Sequence, residues 1–292
     1  MNSQPHILGK CQECGLSLSL GLASGADAGK ALKRLAAGYD TRCGTLGIGQ
    51  PMARALGKMV PGLATFAAMS APGAGVPSTQ QALWIMLQGA TQGAIFASLQ
   101  KLRALLGSDF VIVDSMPTFH NDSHDLTGYE DGTENPKGRK AVKAAIVEKG
   151  AGMAGSSFVA VQRWLHDLAY FNSLTQARRD NIIGRRLADN EEIERAPRSA
   201  HVKRTAQENF EPNGFMLRRS MSFASDGFKG LEFIAYVAHL DTFERQMRAM
   251  AGLAADGVVD ALFKFSRPAT GGYYWCPPVL RGGRADLRIL GL

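Results

Sequence analysis

The stretch 82–113, ALWIMLQGATQGAIFASLQKLRALLGSDFVIV, reads as strand, helix and strand in succession. Ala82–Leu87 is an unbroken apolar run of strand length, followed by Gly89. Ile95, Leu99, Leu102 and Leu106 then recur at intervals of three and four, which places them on one helix face. Phe110–Val113 returns to a short strand-like run. Working outward, Leu16–Leu22 predicts an earlier strand, and Ala28, Ala31, Leu32, Leu35 and Ala36 predict a helix after it. Farther on, Leu231–Leu240 predicts a strand, Phe243, Met247 and Met250 a helix stripe, and Ala261–Phe265 another strand. Strands alternating with amphipathic helices indicate an α+β fold. The repeated strand-helix-strand order suggests an internal duplication, without matching residues to support it. Between the halves, roughly 119–155, Gly, Asn, Asp, Pro and Lys accumulate as in a long loop or crossover. A loop of that length is either functional or disordered, and its content favours function.

Composition narrows the field. The 292 residues suffice for one large domain or two of about 150 each, so a deep core and an internal pocket are both within reach. Apolar residues at 45% and charged residues at 20% leave no room for a long disordered region. The net charge of +7 is spread along the chain and never interleaved with aromatics, which argues against a nucleic-acid partner. The same field favours an anionic cofactor or substrate. No basic and apolar leader opens the chain and no run has the length of a membrane span, so a cytoplasmic location without membrane contact is expected. The four cysteines, 11, 14, 43 and 276, form no disulfide framework and suit a reducing compartment. Cys11 and Cys14 lack a second pair and read as incidental thiols, not as a zinc site. Gly47-Ile48-Gly49 lacks the third glycine of a dinucleotide fingerprint, which argues against a nicotinamide enzyme.

Three segments carry candidate chemistry. Gly128-Tyr129-Glu130-Asp131-Gly132-Thr133-Glu134-Asn135-Pro136 packs three acids among turn-forming residues. By composition it is a charged surface turn, although glycines flanking an acid also let backbone approach a ligand closely. Ser199-Ala200-His201-Val202-Lys203-Arg204-Thr205 holds one histidine, which the residues alone do not set above His120, His124, His166 or His239. His120 and His124 stand at helical spacing in loop composition and read as solvated. Leu217–Phe223 reads as a half-buried strand, on which Arg218 is either an exposed strand arginine or a functional one.

GYEDGTENP resembles the Gly-x-x-Asp-Gly signature of the dye-decolourising peroxidases, in the extended form of their bacterial class B members. His201 lies in a setting similar to that of the family's proximal haem histidine, and Arg218 matches its distal arginine. Many members carry Arg-x-Asn-Met-x-Phe there, so Ser220 stands in place of an asparagine. The resemblance runs from the Gly47 turn to Arg267–Tyr274. It implies two ferredoxin-like modules with antiparallel sheets flanked by helices, of the dimeric α+β barrel type. The expected division is 1–125, a haem-lid loop at 126–155, and a haem-binding module at 156–292.

The resemblance further implies one haem b per chain, with His201 as axial ligand of the iron and Asp131 and Arg218 as the groups that activate hydrogen peroxide. Asp131, Gly132, Thr133, Glu134, Arg218, Ser220 and Phe233 are the expected haem contacts. The second ring nitrogen of such a ligand needs an acceptor; Asp260 is the candidate, with Glu192 and Glu194 as alternatives. The implied activity is reduction of hydrogen peroxide with oxidation of dyes, phenols or manganese(II), through a high-valent state of the iron. The alternative is a haem-handling protein that binds haem, delivers it or releases its iron, with incidental peroxidase turnover. A carboxylate base at Asp131 predicts an acidic optimum unless burial raises its pKa. Electrons from bulky dyes would pass through Trp164, Trp275, Tyr129, Tyr273 or Tyr274. A homo-oligomer is implied; the tail Leu287–Leu292 is too short to support docking in an encapsulin shell.

Overall fold

The computed structural model describes residues 2–225 and 227–292. Its first half carries α1 (Pro5–Leu8), β1 (Cys14–Leu22), α2 (Ala28–Gly38), β2 (Gly44–Gly49), α3 (Gln50–Ala55), a two-stranded ribbon of β3 (Met69–Ala71) and β4 (Ala74–Val76), β5 (Leu83–Gly89), α4 (Gln92–Leu106) and β6 (Phe110–Phe119). After α5 (Arg139–Ala145), the second half carries β7 (Ser157–His166), α6 (Leu168–Ser173), α7 (Gln176–Ile183), α8 (His201–Arg204), β8 (Leu217–Arg218), β9 (Met221–Ser225), β10 (Phe228–Val237), α9 (Leu240–Met250), β11 (Ser266–Pro268) and β12 (Gly272–Cys276).

The four main strands of the first half lie in the order β6-β1-β5-β2, and those of the second in the order β9-β10-β7-β12. With strands counted 1 to 4 within each half, both read 4-1-3-2 from one edge, which is the ferredoxin-like order, and all pairs are antiparallel. The duplication suggested by the sequence is therefore present in the topology. The halves join through β12 against β2 and β6 against β9, which closes a barrel.

Strand alternation explains the two sides of its wall. Leu16, Leu18 and Leu20 share one core with Ala31, Leu32 and Leu35 of α2 and with Ile95, Leu102 and Leu106 of α4. Asp27 and Thr91 cap those helices by accepting from Lys30 N and Ala94 N. Trp84, Met86, Val159, Val161, Ile234, Tyr236 and Tyr274 form a second core. Beside it lies a buried polar network, in which Arg163 donates to Glu232 at 3.0 Å and to both oxygens of Asp114.

Several boundaries differ from expectation. β10 ends at Val237, not at residue 240, because Leu240 opens α9. Ala261–Lys264 is a 3-10 turn where a strand was expected; the Asp260 carboxylate accepts from Leu262 N at 2.8 Å and caps it. The expected strand 217–223 is interrupted at Arg219 and Ser220 without a change of register against β10. The 119–155 segment contains α5, with Ala141 and Ala145 buried. Tyr273, Tyr274 and Trp275 are all 2% exposed or less, which removes them as surface electron carriers. No helix among the described residues is long and apolar enough to cross a membrane.

Candidate active site

The cavity sits outside the barrel, between the second half's sheet and α9. Gln162 and Trp164 of β7 face the same way as their partners Phe233 and Leu231 of β10, and Phe243, Gln246, Met247 and Met250 of α9 complete the slot. The hollow encloses about 930 Å³ of empty space, the open solvent at its mouth included. A second hollow of about 790 Å³ adjoins it, lined by Gly132, Thr133, Glu134, Arg185 and Glu192. Asp131, His201 and Arg218 line both.

His201 is the first residue of α8, and Arg204 at the other end fastens that helix. Its guanidinium donates to Ala249 O at the end of α9 and to the Asp256 carboxylate. Ala261 N donates to Ser199 O at 2.7 Å, which draws Asp260 beside the imidazole. His201 Nδ1 then lies 2.8 Å from Asp260 Oδ2, and the carboxylate is wholly buried. A carboxylate only accepts, so Nδ1 is the donor, and in the neutral ring the lone pair is then on Nε2. The ring is 28% exposed and lines the cavity, so the arrangement has the form of an oriented histidine ligand. Gly184, at φ +93° after α7, is required here: a Cβ would stand 2.3 Å from Val202 Cγ2, beside His201. Glu192, one of the alternative acids, pairs with Lys203 at 2.6 Å instead.

Asp131 stands on a folded loop. Asp131 N donates to Ser123 O and Asp125 N to Tyr129 O, both at 2.8 Å, and Gly132 turns the chain at φ +83°. Burial pushes the Asp131 carboxyl above the ordinary carboxylate value and the Asp125 charge adds to the rise, while Arg218 and His201 oppose it. Arg218 is fixed by its backbone: Arg218 N donates to Asn135 Oδ1 at 2.8 Å, and Asn135 Nδ2 donates to Arg218 O at 3.1 Å. Its Nε is buried and has no hydrogen-bond partner among the described residues, and the residue lines the cavity.

Asp131, Arg218, His201 and Phe233 therefore line the main hollow, with Gly132, Thr133 and Glu134 beside it. Ser220 lines neither hollow; its hydroxyl accepts from Ile234 N at 3.4 Å. Trp164 and Tyr129 line the cavity, and the Tyr129 hydroxyl donates to Asp180. Sequence reading missed the supports of the loop. Arg185 donates to Glu134 at 2.7 Å, Asn190 to Glu130 and Thr133, and Gln207 to Glu134 O. Asn135 was visible only as part of an Asn-Pro turn signal.

A profile of the family described as "Dyp-type peroxidase, C-terminal" matches residues 122–281, more than half of the chain and all of the site above. The chain belongs to the Dyp-type peroxidase family. A curated relative, the dye-decolorizing peroxidase of Mycobacterium tuberculosis, is 29% identical over 221 residues, covering 73% of this chain and 66% of that protein. The chain spans 62% and 57% of two further curated relatives, so its matches take in less than two thirds of their lengths. Among solved structures, a dye-decolorizing protein from V. cholerae is 28% identical with a TM-score of 0.84, and each chain is covered to 98%. A variant of Rhodococcus jostii RHA1 DypB in complex with heme is 25% identical with a TM-score of 0.82, covering 93% of this chain and 95% of that one. The α+β barrel is thus the fold of known Dyp-type peroxidases along nearly its whole length.

Proposed function

We propose that this chain is a haem peroxidase that reduces hydrogen peroxide and oxidises dyes, phenols or manganese(II). The observation that carries the reading is His201, with Nδ1 bound to a buried carboxylate and Nε2 free beside a largely apolar cavity that Asp131 and Arg218 also line. The donor set fits haem b: an imidazole for iron, apolar walls for a macrocycle, and a buried guanidinium Nε with no partner among the described residues. Phe233, Gly132, Thr133 and Glu134 would flank it. When bound, haem would supply an iron that binds peroxide oxygen and stores its oxidising equivalents.

The chain's own groups do the rest. Asp260 holds the His201 ring in the tautomer that leaves Nε2 free, and its charge raises the basicity of that nitrogen. Asp131 takes the proton from one peroxide oxygen and returns it to the departing oxygen. The Arg218 guanidinium stabilises the negative charge that grows on the departing oxygen. Asn135 keeps the two groups in register by clamping the Arg218 backbone to the loop of Asp131. The raised carboxyl of Asp131 moves the acid limit of this exchange above that of an exposed carboxylate.

The geometry gives no separate support to the haem-carrier reading. The division 1–125, 126–155 and 156–292, a homo-oligomer and a cytoplasmic location belong to the same proposal, the last supported by four free cysteines. The test is dye oxidation by the haem-loaded protein under peroxide. Turnover that disappears in Arg218→Ala while haem remains bound supports the reading, and equal turnover in the two proteins removes it.

A further inference from the structure

A separate surface cleft of about 800 Å³ meets the active-site cavity at a shared wall. His166, Phe265 and Ser266 line both spaces. Phe265 is apolar, and the two polar residues form a file with a third. Ser266 Oγ lies 2.7 Å from His166 Nδ1, and His166 Nε2 lies 3.1 Å from Asp125 Oδ2, which opens on the cavity. The other oxygen of Asp125 accepts from Thr127 N and Oγ1, so only one is directed at the histidine. The file is fixed by its strands, since Ser266 and His166 are direct partners of β11 and β7. The His166 side chain is 5% exposed and packs on the Phe265 ring, so the ring itself is shielded from bulk water.

A histidine held at both nitrogens is commonly only structural. This one spans a wall between two spaces open to solvent, and each member of its file can both gain and lose a proton. We propose that Ser266, His166 and Asp125 are a proton relay from the cleft to the active-site cavity. The proposal rests on the peroxidase reading. Reduction of hydrogen peroxide to two waters takes up two electrons and two protons. An aromatic reductant too large for the cavity gives its electrons from outside and leaves its protons there, and the file offers those protons a direct route through the wall.

In one passage the Ser266 hydroxyl gives its proton to Nδ1 and regains one from water in the cleft. Nε2 gives its own proton to the Asp125 carboxylate, which releases it into the cavity beside Asp131. Each O–H or N–H bond broken is matched by one formed. The groups facing His166 are Asp125 and Ser266 on either side, with Asp167, Lys229, Lys264 and Arg267 in the cleft. Three cations against one carboxylate there favour movement of the proton inward.

The test compares haem-loaded wild type with His166→Gln, which keeps a donor and an acceptor but passes no proton through its side chain, and with Ser266→Ala, which removes the cleft end. Stopped-flow absorption separates the peroxide phase from the phase in which dye electrons are consumed. The relay predicts an unchanged peroxide phase, a dye phase slowed at least about tenfold with a larger solvent isotope effect, and recovery of His166→Ala by added imidazole. Independently of turnover, ¹⁵N NMR of the His166 ring should show its protons exchanging between the two nitrogens. Wild-type dye phases in both folded, haem-bearing variants would overturn the relay, as would a ring locked in one tautomer. Failure of the wild type to bind haem would instead overturn the peroxidase reading beneath it.

Discussion

Asp260→Asn isolates the contribution of one buried charge to His201, the proposed axial ligand. The substitution keeps the shape of the side chain, and its oxygen can still accept from Leu262 N, as Asp260 Oδ1 does at 2.8 Å. It then sets an amide N–H against the N–H of His201 Nδ1, where Asp260 Oδ2 now accepts at 2.8 Å. Two donors cannot share that contact, and the ring relieves it by moving its proton to Nε2, which removes the lone pair offered to iron. A hydrogen bond to a charged group contributes about 1.5–3 kcal/mol. That corresponds to roughly ten- to hundredfold in affinity and agrees with the usual effect of losing such a support behind a metal ligand. Titration of haem into the apo-protein, followed by absorption, measures it directly. Weakening of about ten- to hundredfold is expected. Wild-type affinity with a wild-type spectrum would refute the role given to Asp260.

Arg218→Ala should slow the reaction with peroxide by about a hundredfold or more while haem stays bound, and Asp131→Ala should slow it less; single-turnover mixing with peroxide measures both. The pH dependence has a definite sign. The Asp131 carboxyl is raised, so its base form is lost as pH falls through a value above the ordinary carboxylate value, and with Asp131 as the proposed base the acid limb of the peroxide reaction should lie there. Asp125→Asn removes a repelling charge and should move that limb to lower pH, while Arg218→Lys should leave it near the wild-type position; a pH profile of the peroxide rate that does not move in Asp125→Asn contradicts the assignment. Gly184→Ala forces a Cβ to 2.3 Å from Val202 at a φ of +93° and should cost about 1–3 kcal/mol of apo-protein stability, read by denaturant melts.

The alternation of apolar runs at 82–113 gave the fold class, because strand and helix periods are local properties. The same method failed at Ala261–Phe265, where an apolar run curls into a 3-10 turn under the cap of Asp260. Register against β10 was preserved across 217–223, but the Ser220 hydroxyl takes up the Ile234 N–H and the strand is broken there. That contact also explains why Ser220 is absent from the cavity lining: its side chain is engaged with the sheet. His201 could not be told from His166 by its neighbours in the chain. Their difference lies in partners about 59 and 41 positions away, Asp260 for one and Asp125 for the other. Family resemblance singled out His201, which the structure places on the cavity beside Asp131 and Arg218, whereas Asn135, Arg185 and Gln207 escaped notice because their hydrogen bonds reach residues far off in the sequence.

The most direct test is the absorption spectrum of the haem-loaded protein beside His201→Ala, before and after one equivalent of peroxide. The account predicts a haem band in the wild type that peroxide changes, and a band lost or displaced in the variant. A wild-type band indifferent to peroxide, or one identical in His201→Ala, would contradict it.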